Sequence, residues 1–314
     1  MTTNDSKAQY STFILTGIPG LETQQIWISI PFFSIYILAL LGNSILLYIL
    51  QAYTEFHEPM YYFLSMLTVT DIVLTTSIVP KTLWIFWFNA GEIHLDSCLT
   101  QMFFLHSFSV VESGILVAMA FDRYVAICNP LRYFMILTGP VIAKAGLFIL
   151  FKATLAFLPH LVIMKQLPYC QANLIHHTYC EFMAVVKQAC RDTSVLRAYS
   201  LSVALLTGGL DFICVIFSYA LILKAVSSHS NTKGGLKALG TCASHFFIML
   251  IFYTTSIFSF LTHRFGHAVA PEIHIIMANM YPLVPPFINP IVYGLRTKQI
   301  RDKLLQMLSC KAVR

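Results

Sequence analysis

Apolar residues along this chain come in seven long runs rather than in alternating or one-faced patterns, at 27–50, 60–87, 99–128, 140–163, 197–226, 238–262 and 273–293. Each is roughly 20 residues or more, and a helix rising 1.5 Å per residue needs about that many to cross the hydrocarbon core of a bilayer. A membrane barrel would instead show strands of about ten residues with alternating polarity, separated by turns. The pattern predicts an all-α membrane protein, a seven-transmembrane helical bundle. No composition shift, low-complexity stretch or internal repeat divides the chain, so residues 1–314 read as one domain.

Composition removes the other broad classes. With 57% hydrophobic and 11% charged residues and a mean hydropathy of +0.71, the chain is too apolar for a soluble domain. The lipid bilayer is its solvent, and no nucleic acid is expected among its partners. Charge then sets the orientation. Beyond the last span stand Arg296, Lys298, Arg301, Lys303, Lys311 and Arg314 against one acid, Asp302. This marks the tail at 294–314 as cytoplasmic, where a short amphipathic helix is expected. The loop at 51–58 runs against the bias, carrying Glu55 and Glu58 and no lysine or arginine, but acids weigh little in this rule. Residues 1–26 then form an extracellular tail with no cleavable signal, because 1–24 are mostly polar and the first apolar run is already a span. Asn4-Asp5-Ser6 offers an N-glycosylation acceptor at Asn4 on that side, and the plasma membrane is the expected location.

Ionisable residues inside spans are costly and are kept for a purpose. The third span ends in Met119-Ala-Phe-Asp-Arg-Tyr-Val-Ala-Ile-Cys128, so Asp122 and Arg123 stand side by side at a membrane boundary, as a polar lock that can open. On the same helix His106, Ser109 and Ser113 share a stripe, and Glu112 and Arg123 project within roughly 20° of each other. From His106 to Arg123 the rise is on the order of 25 Å, enough to link an outer pocket to the cytoplasmic surface. Asp71 and Glu112 sit in the middle of two different spans with no evident basic partner. Two carboxylates at low dielectric call for a proton or a cation such as sodium, with Asn43, Ser113 and Asn289 as further oxygen donors. No other cofactor is expected. Neither a nucleophile nor a metal motif accompanies these acids, so an enzyme is not expected either.

Of the 8 cysteines, Cys98, Cys170, Cys180 and Cys190 fall on the side facing an oxidising compartment, where three pairings are open. Zinc is the rival use, given His176 and His177 nearby, although the spacing fits no compact zinc pattern. Cys128, Cys214, Cys242 and Cys310 lie in spans or on the cytoplasmic side and are expected to be free. At the outer end of the sixth span, Arg264 is wet enough to stay charged and close enough to the bundle mouth to grip a carboxylate with two parallel hydrogen bonds. Leu105, Leu201, Leu205, Phe258 and Ser259, with Ser109, would line an apolar pocket below it that suits an alkyl tail.

In sequence order, Gly42-Asn43, His57-Glu-Pro-Met-Tyr-Tyr-Phe-Leu-Ser65 with Asp71, Met119 to Cys128, and Ser218-Tyr219 form a series. It continues through Lys237-Ala-Leu-Gly-Thr-Cys-Ala-Ser-His245 and Pro285-Pro-Phe-Ile-Asn-Pro-Ile-Val-Tyr293. The series resembles the odorant-receptor branch of the rhodopsin-like G-protein-coupled receptors over almost the whole chain. Thr262-His-Arg-Phe-Gly266 and Pro285-Pro-Phe-Ile-Asn-Pro290 resemble the class I, fish-like olfactory receptors, most closely family 52. The chain departs from the wider receptor pattern in having no tryptophan in the fourth span and no proline in the fifth, and in placing Tyr253 where a tryptophan is usual in the sixth.

This resemblance implies a receptor that binds a small, medium-chain carboxylic acid outside and activates a stimulatory, olfactory-type G protein inside, raising cAMP. It implies that Arg264 holds the carboxylate, that His106 lies near the ligand, and that Asp122, Arg123, Tyr124, Tyr219, Tyr253 and Tyr293 serve activation and coupling. It also implies disulfides Cys98–Cys180 and Cys170–Cys190, with Cys98–Cys190 as the runner-up. A channel or transporter using Asp71 and Glu112 as an ion path is the competing class. A transporter of that kind is expected to show broken helices in symmetric halves, which the chain lacks.

Overall fold

The computed structural model describes residues 10–228, 233–265 and 270–311, so Asn4 lies outside the described residues. Seven helices among them are long and apolar enough to cross a membrane. They are α1 (Gln25–Ala52), α2 (Pro59–Phe88), α3 (Leu95–Cys128), α4 (Gly139–Lys165), α5 (Ser194–Ser227), α6 (Lys233–Phe265) and α7 (Pro271–Arg296), followed by α8 (Lys298–Lys311). Each contains the apolar run that predicts it and extends a few residues into the flanking polar chain.

Local chemistry explains several boundaries. Proline stands in the first turn of α2, α4 and α7, where its missing N–H is one that a helix leaves unpaired anyway. α2 stops at Asn89, whose left-handed backbone (φ 51°) redirects the chain. Within α5, Leu205–Gly209 form a π-turn, a local widening of the helix. Helix α3 is central and packs on α2, α4 and α5, whereas α1 packs on α2 and α7, and α6 on α7. Large apolar side chains on the outside, such as Trp27, Trp84, Phe148 and Phe217, point away from the bundle toward the lipid position.

At the amino-terminal face of the bundle lies a small sheet that hydropathy does not foretell. Its strands are β1 (Thr12–Leu15), β2 (Glu92–His94) and β3 (Leu174–Ile175), with β1 in the centre, antiparallel to β2 and parallel to β3. The tail is therefore not free polar chain. Phe13, Leu15 and Ile18 are buried, with Phe13 edge-on to Tyr169 at 5.2 Å. Gly91 makes the approach possible, because a Cβ there would lie 1.9 Å from the carbonyl oxygen of Leu15. Disulfides Cys98–Cys180 and Cys170–Cys190 staple the 166–193 segment to α3 and to itself, the pairing the resemblance implies. Cys128, Cys214 and Cys242 are free, and the side chain of Cys310 lies outside the described residues.

At the opposite, carboxy-terminal face, α8 folds back against the 53–61 region. Lys303 Nζ meets Glu55 at 3.1 Å and sits over the Tyr53 ring, and Tyr61 Oη donates to Gln299 at 2.6 Å. The acidic loop that runs against the charge bias is thus the partner of the basic tail.

Candidate functional site

A cavity of about 450 Å³ opens between α3, α5, α6 and α7 beneath the 179–183 segment. Its lining brings together five of the residues the sequence nominates: His106, Ser109, Leu205, Ser259 and Arg264. Three nominees are not there. Leu105 is fully buried in the core on another face of α3, Phe258 is partly exposed on the outside of α6, and Leu201 lies off the lining of α5. Neighbours on a helix point about 100° apart, so Leu105 beside His106 and Phe258 beside Ser259 are turned away. The wall is completed by Phe157 of α4, Tyr179, Glu181, Phe182, Phe212, Phe252 and Tyr281, which gives an apolar, aromatic chamber with few polar groups.

Those polar groups are held in place. The His106 ring stacks on Phe157 at 5.3 Å, and Phe157 on His160 at 5.1 Å. Tyr281 Oη donates to Ser109 Oγ, which itself donates to the Leu105 carbonyl. The Glu181 carboxylate accepts from Ala184 N–H at 2.6 Å. At the rim, Arg264 donates from Nη2 to the carbonyl of Arg197 at 2.8 Å, with its guanidinium 6.0 Å from the Phe260 ring centre. One edge of the guanidinium is thereby fixed to α5.

Beneath the cavity lies a polar cluster that the sequence reading misses. Lys152 Nζ of α4 donates to both carboxylate oxygens of Asp211 of α5, at 3.0 and 2.9 Å. Ser113 Oγ lies 3.1 Å from Asp211 and 3.0 Å from the hydroxyl of Tyr253, which lines the cavity. Tyr253 is thus wired into the bundle centre rather than to the carboxy-terminal face. The signal was present as opposite charges in the fourth and fifth apolar runs, which ordinarily means a paired functional group.

Ser113 is therefore committed to Asp211 and Tyr253 and does not serve the Asp71–Glu112 pair as an oxygen donor. Asn289 turns its amide nitrogen to both oxygens of Asp71, at 3.2 and 3.0 Å, and Asn43 donates to the carbonyls of Ala39 and Pro286. That leaves Asn43 Oδ1 and Asn289 Oδ1 buried without a hydrogen-bond donor among the described residues. No group of three metal-ligating His, Cys, Asp or Glu side chains occurs among those residues.

At the carboxy-terminal face, Arg123 Nε lies 3.2 Å from Asp122 Oδ2, and Tyr133 Oη donates to Asp122 Oδ1 at 2.7 Å. Burial, reinforced by the Asp122 charge, pushes the Tyr133 hydroxyl above its ordinary pKa, so it stays a donor. Arg123 also reaches Met60 Sδ. Among the described residues neither Tyr219 nor Tyr293 engages Arg123 by a hydrogen bond: the Tyr219 ring lies tilted against Phe246 at 5.2 Å, and Tyr293 pairs with His245 Nδ1 at 3.4 Å. Tyr124 is half-buried against the core beside Phe121. Beside this lock Leu131, Phe134 and Met135 stand exposed, Leu131 at 96%.

Comparison with known proteins gives one consistent result. The family model for olfactory receptors matches residues 32–311. Human olfactory receptor 52N4 is 49% identical over 310 residues, 98% of this chain and 97% of its own. Human olfactory receptor 52K2 is 51% identical over 295 residues, 94% of each chain, and human olfactory receptor 52D1 is 50% identical over 298 residues, 95% and 94% respectively.

Proposed function

This chain belongs to the olfactory receptor family, odorant receptors of the G-protein-coupled class that span the membrane several times and are not enzymes, and on that premise we propose that its odorant is a medium-chain carboxylic acid held at Arg264. The observation that carries this reading is the composition of the cavity: the Arg264 guanidinium at the rim of a chamber whose surface is mostly apolar and aromatic, with its one acid among the described residues, Glu181, taken up by the Ala184 N–H. A guanidinium offers five N–H donors in a planar fork, and among the described residues Nη2 donates to the Arg197 carbonyl, which leaves donors for a carboxylate. The alkyl tail then descends past His106 and Ser109 toward Tyr253. Each buried methylene adds about 0.8 kcal/mol, so potency rises with length until the chamber is full, at about six to ten carbons.

Ligand contact reaches the transducer side through Tyr253, Ser113 and Asp211 and along α3 to the Asp122–Arg123 lock. The exposed Leu131, Phe134 and Met135 beside that lock supply an apolar docking patch for a G protein. We assign the stimulatory, olfactory type, with cAMP as the output. The basic excess of α8 supports a cytoplasmic carboxy-terminal face, and the two disulfides support an oxidising compartment at the amino-terminal face, hence a plasma-membrane receptor with Asn4 available for glycosylation. The orphan oxygen of Asn289, whose amide nitrogen holds Asp71, and the orphan oxygen of Asn43 support a sodium ion or a proton in the Asp71–Glu112 region.

A cAMP panel of straight-chain acids, alcohols and aldehydes in cells expressing the chain tests the assignment. Acids are expected to be the strongest class. A panel in which alcohols or aldehydes dominate overturns the carboxylic-acid assignment, and agonism without cAMP overturns the G-protein type.

A further inference from the structure

Glycine is the least favourable residue for a helix interior except proline, so a glycine kept inside a span calls for a reason. For three span glycines among the described residues that reason is a close neighbour. A Cβ on Gly42 would lie 2.9 Å from Pro290, on Gly114 2.8 Å from Ile149, and on Gly146 2.9 Å from Met66. Gly208 and Gly209 in α5 differ, because a Cβ on either would meet nothing within 4 Å. Neither has a positive φ, so backbone conformation does not demand glycine there. Packing and conformation therefore leave these two residues unexplained.

Both line the cavity, within the π-turn Leu205–Gly209 and beside Thr207 and Phe212. The cavity they line is the open space that their missing side chains leave unfilled. Depth supports the same reading. Arg264 is bonded to the Arg197 carbonyl, and Gly208 lies eleven residues further along α5, about 16 Å at 1.5 Å per residue. A zigzag chain advances roughly 1.3 Å per bond of about 1.5 Å, so roughly ten carbons reach about 12 Å, and with about 3 Å for the hydrogen bond to Arg264 the end of such a tail comes close to that level.

We propose that Gly208 and Gly209 are specificity-determining residues that set the maximum tail length of the odorant, by leaving open the deep end of the chamber. The anchor end of this statement rests on the carboxylic-acid reading, whereas the length limit does not. The two are tested separately by using two homologous series.

Concentration–response curves are measured for straight-chain acids and straight-chain alcohols from five to twelve carbons. They are taken on the parent chain, Gly208→Ala, Gly209→Ala and Gly208→Val, with surface level recorded for each. Alanine is the better helix former, so both alanine variants are expected at parental surface level or above. Their optimum is expected one to two carbons shorter, with short members keeping parental potency and longer ones losing about fourfold per methylene that no longer fits. Gly208→Val shifts it further; if that variant fails to reach the surface, the alanine pair decides alone. An unchanged optimum in both alanine variants overturns the proposal, since the added methyls then point away from the ligand. A uniform loss at every length also overturns it, as a distortion of α5. If acids are inert but the alcohol optimum shortens, the length gauge stands and the carboxylate anchor falls.

Discussion

Asp211 takes two hydrogen bonds from Lys152 and lies within hydrogen-bond reach of Ser113, in the middle of a bundle whose surroundings are apolar. Removing one partner of such a pair leaves a charge without compensation, at about 3–5 kcal/mol, whereas replacing both by apolar residues of similar size is often close to neutral. Asp211→Asn is therefore expected to reach the surface poorly, and the double variant Lys152→Met with Asp211→Leu to recover most of the surface level. Surface immunostaining of the single and double variants checks this, and a double variant as poor as the single one counts against an ion-pair role. At this scale the sequence was partly legible. Arg264 could be placed from its charge at the outer end of a span, Ser109 from the polar stripe of the third span, and His106 from that stripe together with the family resemblance. Leu105 and Phe258 could not, because apolar runs without a polar face give no rotational phase, so core-facing and lipid-facing positions look alike. Lys152 and Asp211 carried a readable signal in their charge, but their partnership depends on how α4 and α5 pack.

At the scale of elements, the seven spans were legible because the bilayer demands long apolar helices and little else satisfies that demand. The amino-terminal sheet was not, since strands of two to four residues have no measurable period and their pairing joins positions about 80 to 160 residues apart. Its stability depends on the backbone approach at Gly91. Any side chain there collides with the Leu15 carbonyl, so Gly91→Ala is expected to detach β1 and expose Phe13, Leu15 and Ile18, whose burial is worth about 1.5–3 kcal/mol each. Limited proteolysis of the 10–24 segment should become much faster in this variant. Parental resistance would mean that the strand is held by something other than this close contact. The acidic loop at 51–58 is likewise explained only once α8 folds back on it, through Glu55 and Lys303.

For the molecule as a whole, the cavity, the Tyr253–Ser113–Asp211 cluster and the Asp122–Arg123 lock lie in sequence along α3, from the amino-terminal face to the carboxy-terminal one. In this structure Arg123 is paired with one oxygen of Asp122, and Tyr133 holds the other. Arg123→Ala is expected to abolish G-protein activation while leaving surface level and ligand binding near parental. Tyr133→Phe removes one hydrogen bond from a buried carboxylate and should raise basal signalling. Nucleotide exchange on purified G protein reads both, and full activation by Arg123→Ala would remove the lock from the account. The measurement that reaches the central claim most directly compares octanoic acid with 1-octanol on the parent chain and on Arg264→Ala. The account predicts that the acid exceeds the alcohol on the parent, that Arg264→Ala weakens the acid by about 30-fold, equivalent to about 2 kcal/mol, and that the gap to the alcohol narrows accordingly. Equal potency of acid and alcohol on the parent, or an acid response unchanged in Arg264→Ala, would contradict it.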